Sequence, residues 1–203
     1  GAIEDHNYDI RGTRVGVVRG EGKGRAAAPD DILAAWERGL DVLRSGGARL
    51  VDIEMEELPA LRAVNSAILA IEAAARHSEF QRTRLADYGD FPRLGLLAGW
   101  AYGPTDLLRA RQALATLRVR CLARFDDLDF ITTPTMVSEA PPLGRPPKLT
   151  FTSPFNALGW PAISIPSGFG ETGLPVGLQL VGLPGNDGHL LGVAAFMEEN
   201  LDG

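Results

Sequence analysis

Few side chains in this 203-residue sequence combine the types and spacing that catalysis needs, and each has a plain structural alternative. Ser167 follows an apolar run in Ile165-Pro166-Ser167-Gly168-Phe169, a setting similar to the strand-to-helix turn that exposes a nucleophilic serine. That turn needs a small residue where Ile165 stands and a helix after the serine, whereas the chain beyond Ser167 reads as a loop. Ser167 is therefore read as a turn serine. Cys121 lies among arginines that would lower its pKa, but the leucines of the surrounding helix predict a packed, inert thiol. Gly20-Glu21-Gly22-Lys23-Gly24 follows a strand, as a phosphate loop does, yet its spacing fits neither nucleotide-binding pattern and no hydroxyl follows Lys23 to hold magnesium. It reads as a plain loop. His6, His77 and His189 stand apart, without a His-Glu-x-x-His pattern or a cysteine pair, so neither a metal site nor a cofactor is expected.

Composition narrows the classes further. The chain is 45% hydrophobic and 23% charged, with a net charge of −6, which predicts a real core and little disorder. Nucleic acid and anionic membrane surfaces reward clustered Lys and Arg, so neither partner is expected. All 20 basic residues lie at or before Lys148, and the last 55 residues carry none. One cysteine allows no internal disulfide, and the opening residues lack a basic-then-apolar leader pattern. No apolar stretch approaches the roughly 18–20 residues of a membrane span. A soluble, cytoplasmic protein is the expectation.

The elements that must position any site follow from periodicity. Arg14-Val15-Gly16-Val17-Val18 reads as a strand, a helix opens near Pro29-Asp30-Asp31, and Arg49-Leu50-Val51-Asp52-Ile53 reads as a second strand. Ile32, Trp36, Leu40 and Leu43 share one helical face, and Gly46-Gly47 stops it. This βαβ unit predicts parallel strands with a covering helix. A helix is expected from Leu61 to about Arg84, then a break at Tyr88-Gly89-Asp90-Phe91-Pro92. A long helix follows from Pro104 to about Phe125, with Leu107, Leu108, Leu114, Leu117 and Leu122 inward and its arginines on a solvated face. Asp129 to Thr133 reads as a strand, Pro141 to Pro147 as an extended connection, and a last helix runs from about His189 to Glu199. The runs Ala162-Ile165 and Val176-Val181, separated by three glycines, predict an antiparallel hairpin. The fold class is α/β, a mixed sheet covered by helices, with residues 1–203 forming a single region.

Two stretches carry a more specific pattern. Thr152-Ser153-Pro154-Phe155-Asn156-Ala157-Leu158-Gly159-Trp160-Pro161 through Ser167-Gly168-Phe169, followed by Gly173-Leu174-Pro175-Val176-Gly177-Leu178-Gln179, closely resembles the C-terminal region of the amidase signature family. Asp129-Phe130-Ile131-Thr132-Thr133-Pro134-Thr135 resembles that family's strand ending in a Pro-Thr turn. Ile10-Arg11-Gly12-Thr13-Arg14-Val15-Gly16-Val17 is similar to the segment after its catalytic core.

The resemblance implies hydrolysis of a carboxylic amide C–N bond by a Ser nucleophile, a bridging Ser in a cis peptide and a Lys base, with backbone amides as oxyanion hole. The Gly/Ser-rich signature and the catalytic Lys belong to the family's N-terminal half, and this chain is expected to begin after it. Lys23 and Lys148, the only lysines, lie in no matching motif, so no catalytic residue carries over. What carries over is a substrate-side shell. By resemblance, Thr135 and Met136 approach the cavity, Phe151, Phe155 and Trp160 line it, and Asn156 hydrogen-bonds a neighbouring loop. The family's tRNA-dependent amidotransferases hold glutamine with an Arg and an Asp at positions that fall near Glu79 and Leu149 of this chain, which points instead to a more apolar amide. The alternative is a non-catalytic binding or scaffold module derived from the same fold.

In the family the sheet is shared between halves, so strand edges and apolar faces would be exposed here. The expected partners are therefore the missing N-terminal catalytic segment, a companion chain or copies of this chain, besides a small-molecule amide. Size-exclusion chromatography of the isolated chain should show association; a well-behaved monomer would contradict it.

Overall fold

The computed structural model describes residues 8–22 and 28–201. Its centre is a mixed five-stranded sheet. β1 (Arg14–Val17), α1 (Asp30–Ser45) and β2 (Arg49–Asp52) form the expected βαβ unit, with Val15 opposite Leu50 in parallel register. β3 (Phe130–Pro134) lies parallel to β1 on its other side, Val15 opposite Phe130. Then the direction reverses. β5 (Pro175–Gly182) runs antiparallel to β3, and β4 (Ala162–Phe169) pairs antiparallel with β5 at the sheet edge.

Alternation along β3 sends its residues to opposite faces of the sheet. Phe130 joins Val15, Val17, Trp36, Leu40 and Met197 beneath α1 and α7 (Asp187–Leu201). Ile131 joins Met55, Leu61, Leu117, Phe155 and Val181 beneath a helical layer. That layer comprises α2 (Leu58–Arg76), α3 (Ser78–Thr83), α4 (Asp90–Gly99), α5 (Pro104–Leu122) and α6 (Thr152–Leu158). The α1 layer packs closely because Gly39 has no side chain: a Cβ there would sit 2.6 Å from Leu178 Cδ1. α1 ends as its glycines predict. Gly47, at φ +89°, lets its own N–H reach the Arg44 carbonyl and the Ala48 N–H reach the Leu43 carbonyl, both at 3.0 Å.

The helical layer departs from the sequence expectation in four places. α2 opens at Leu58, because Pro59 in the first turn needs no helical partner for its missing N–H, and it stops at Arg76, with α3 as a separate turn beyond His77. Tyr88 to Pro92, expected as a break, contains the start of α4, where Pro92 again occupies a first turn. α6 was not expected; Pro154 hides it in the same way. Leu108 and Leu122 of α5 are exposed, and the buried stripe is instead Ala110, Leu117 and Cys121. In addition, α2 has the length and mean hydropathy (1.3) of a membrane span by composition, contrary to the expectation that no segment does. Two of its three charges pair with other elements: Arg62 with Glu21, and Glu72 with Arg111 at 3.2 Å.

Exposed apolar side chains are concentrated in this layer, on Phe80, Phe91, Leu94, Leu97 and Trp100. α4 reaches α2 through Gly99, where a Cβ would overlap the Ala70 carbonyl oxygen and lie 2.5 Å from Ala74 Cβ. Helix propensity favours alanine by about 1 kcal/mol, but the clash is with backbone and cannot be relieved by a rotamer change. Gly99→Ala should therefore destabilise the chain by about 1–3 kcal/mol in urea unfolding.

Candidate functional site

The site grows from the point where β3 leaves the sheet. Pro134 ends the strand, and the next residue is tied back by its N–H, which donates to the Gly177 carbonyl at 2.8 Å. Thr135 thereby projects on the α6 side of the sheet, where its Oγ1 lies 2.7 Å from Ser164 Oγ of β4. Gly177 makes the pairing possible: a Cβ there would stand 2.7 Å from Ser164 Oγ and 2.9 Å from Thr135 Oγ1. Beside the two hydroxyls opens a cleft of about 370 Å³. Its walls are mostly apolar, with Met136 and Pro141 on one side and Pro175 and Val176 on the other. A crevice at the carboxyl end of a strand, where neighbouring connections diverge, is where α/β sheets bind ligands.

Among the described residues, the one carboxylate lining the cleft is committed elsewhere. Glu139 accepts hydrogen bonds from Thr172 Oγ1 at 2.6 Å, Leu174 N at 2.9 Å and Thr172 N at 3.1 Å. These bonds, that from the Thr172 hydroxyl foremost, hold its pKa below the usual carboxylate value. Neither His77 nor His189 lines the cleft. His77 Nδ1 bonds the Tyr88 hydroxyl at 2.8 Å, and His189 on α7 packs against Tyr8 and Phe130. The arrangement can therefore recognise polar and apolar groups, but among the described residues no free base stands beside Thr135 or Ser164.

Of the residues singled out in the sequence, the structure brings Thr135 and Met136 to this cleft. Phe151 and Phe155 are fully buried, and Trp160 nearly so, in the core beneath the helical layer. There Trp160 meets Phe125 edge-on with centroids 4.9 Å apart and stacks on Phe155 at 6.5 Å. Asn156 faces solvent on α6. Ser167 is buried in β4, its hydroxyl without a partner, and so is not a turn serine. Lys23, Gly24 and His6 lie outside the described residues. Glu21 of the same loop pairs with Arg62. Among the described residues no group of His, Cys, Asp and Glu is placed to hold a metal.

Sequence reasoning missed Ser164, Ser138 and Glu139. Ser164 alternates with Ile163 and Ile165 and was discoverable from that period; nothing local marks Glu139. Two hollows between α3 and the segments around it were also missed, one walled by Phe80 and Tyr88, the other by Gln81 and Trp100. There Trp100 Nε1 donates to Gln81 Oε1 at 2.7 Å.

Comparison with known proteins agrees with this geometry. A model of the amidase family matches residues 3–191, and the chain belongs to that amidase signature family. It is 27% identical to a glutamyl-tRNA(Gln) amidotransferase chain of Zymomonas mobilis subsp. mobilis over 94% of this chain and 45% of that protein. It is 30% identical to the chain of the same name from Roseiflexus castenholzii, over 91% of this chain and 44% of that one. A crystal structure of an amidase superposes with a TM-score of 0.83 at 26% identity, over 95% of this chain and 46% of the other. The fold also matches 6-aminohexanoate cyclic dimer hydrolase, with a TM-score of 0.80 at 22% identity, covering all of this chain and 49% of that one. The chain thus spans about 45% of the length of the curated relatives it matches.

Cys121 shows how inert the described thiol is. Burial, with Glu57 adding to it and Arg124 opposing, pushes its pKa up to about 12. At pH 8 only about one part in ten thousand is thiolate. Iodoacetamide at that pH should leave the native chain unmodified and alkylate it once in urea, as read by intact mass.

Proposed function

We propose that the chain is the C-terminal portion of an amidase that hydrolyses a carboxylic amide C–N bond, with the Ser–cis-Ser–Lys triad supplied from outside this chain. The single observation that carries this reading is the family match over residues 3–191 in a chain spanning about 45% of its relatives' length. In this mechanism a serine hydroxyl, its proton taken by lysine, adds to the amide carbonyl. Backbone N–H groups stabilise the oxyanion, the C–N bond breaks as the amine leaves protonated, and water hydrolyses the acyl-enzyme. The cleft beside Thr135 and Ser164 contributes substrate binding. Its hydroxyls can donate to a carbonyl or accept from an amide N–H, and Met136, Pro141 and Pro175 can cover an apolar group.

The substrate class is read from the resemblance and from the cleft's apolar walls. The relatives named as glutamyl-tRNA(Gln) amidotransferases raise glutamine as a candidate, but by resemblance the Arg and Asp that hold it fall near Glu79 and Leu149 here, and neither of these lines the cleft. An apolar or aryl amide suits the cleft better. Because the described residues of the cleft carry no base to pair with a hydroxyl, a non-catalytic binding module remains the second reading.

Assays on a simple aryl amide and on glutamine separate these readings. The purified chain alone should give no turnover above buffer, and a protein extended by the coding sequence upstream of Gly1 should hydrolyse the aryl amide faster than glutamine. Robust turnover by the 203-residue chain would overturn the claim that the triad lies outside it. Inactivity of the extended protein on both amides would favour the binding module.

A further inference from the structure

The outer wall of the cleft is a segment, residues 135–149, that forms neither helix nor strand. Such a segment holds its place only through contacts made by individual residues. At its start Thr135 is tied to Gly177, and Val137 is buried in the core. Beyond them the anchor is Glu139, whose carboxylate crosses to the turn between β4 and β5.

That turn, residues 170–174, has every backbone N–H accepted. Gly170 N donates to the Leu174 carbonyl at 3.0 Å and Gly173 N to the Gly170 carbonyl at 3.1 Å. Glu171 N donates to Asp31 Oδ2, in the first turn of α1, at 2.9 Å. The remaining two, Thr172 and Leu174, donate to Glu139. Gly170 is shaped for this seat, since a Cβ there would lie 2.5–2.6 Å from the Glu139 side chain. The turn leads directly into Pro175 and Val176, which form the opposite wall of the cleft. One carboxylate therefore spans from one wall to the chain that carries the other.

We propose that Glu139 is a positioning residue of the cleft: by holding the 170–174 turn it fixes the gap between the Met136–Pro141 wall and the Pro175–Val176 wall, and so sets the size of group admitted. This inference rests on the reading of the cleft as the substrate side of an amidase. The carboxylate form is the one that accepts these hydrogen bonds, and they lower its pKa, while Asp31 on α1 opposes them. Glu171, in the turn itself, adds a further negative charge nearby. A group with a depressed folded pKa contributes above its unfolded value and loses that contribution as pH falls through the folded one. The bridge is therefore complete at neutral pH and released in acid.

The three methionines provide the readout. Met136 lines the cleft, whereas Met55 and Met197 are buried in the two separate cores and report on the fold. In the chain labelled at its methionine methyl groups, Glu139→Ala should move the Met136 resonance and leave Met55 and Met197 in place. Amide exchange at Thr172 and Leu174 should accelerate at least about tenfold, the scale of losing a charge-assisted hydrogen bond. An unmoved Met136, or unchanged exchange, overturns the proposal. Should the variant unfold, acid titration of the wild-type chain decides instead. Met136 shifting at higher pH than Met55 and Met197 supports the bridge; the three shifting together, or Met136 not shifting, overturns it. In the extended, active protein the same substitution should raise KM for bulky amides several-fold with kcat unchanged, and a fall in kcat at constant KM overturns positioning. Absence of turnover in both proteins would instead count against the amidase reading, with the methyl response still judging the bridge.

Discussion

A strand with neighbours on both edges and helices on both faces has to satisfy every backbone group and bury every side chain at once. β3 is that strand. All five of its residues are buried, its edges pair with β1 and β5, and its alternating side chains enter two different cores. Phe130 and Ile131 therefore do more than fill space, because a one-residue slip of register would exchange the two faces, swapping these side chains between cores and parting Thr132 and Thr133 from Trp36 and Gln179. The change from parallel to antiparallel pairing occurs across this strand. The segment that leaves it at Pro134 consequently emerges beside a hairpin rather than beneath another βα connection, and the cleft occupies that space.

The polar residues of β3 and its neighbour connect this constraint to the site. Thr132 accepts from Trp36 Nε1 at 3.2 Å on the α1 side, and Thr133 accepts from Gln179 Nε2 at 3.0 Å on the α6 side. The same Gln179 amide reaches the Phe151 carbonyl at 3.3 Å, so β5 is stitched to the segment entering α6. Each of these buried groups would cost about 1–3 kcal/mol if left unpaired. The pairs therefore restrict how the layers can slide, and Thr135 and Ser164 are carried on strands whose relative register is already set at Thr133 and Gln179.

The sheet was largely legible in the sequence because strands that serve two cores read as short β-branched or apolar runs, and because Gly46-Gly47 and the glycine-rich separator mark their turns through backbone freedom. The helices with a proline in the first turn were not. Pro59, Pro92 and Pro154 look like interruptions until it is known that the residues after them are helical, and α4 and α6 were missed or misplaced for that reason. Phe151, Phe155 and Trp160 are a different case. A family resemblance located the segment but could not say which way its aromatic rings face, and in the described chain these rings, each able to bury about 150–250 Å², fill the core beneath the helical layer. Glu139 was illegible for a simpler reason: its partners stand 33 and 35 residues away, and a single acid in a proline-rich stretch has no periodicity to betray it.

The cleft's chemistry follows from how its protons are shared. A hydroxyl becomes a nucleophile only to the extent that a nearby base takes its proton, and Thr135 and Ser164 offer each other a donor and an acceptor of equal weakness. Glu139 is the one carboxylate lining the cleft among the described residues, and the hydrogen bonds that let it span the cleft also stabilise its charge and make it a poorer base. Serving as a structural bridge and serving as a proton acceptor are thus opposed demands on one side chain, and the geometry resolves them in favour of the bridge. A cleft built in this way can select a substrate by shape and hydrogen bonding, while bond cleavage requires a nucleophile and base that its own described side chains do not provide.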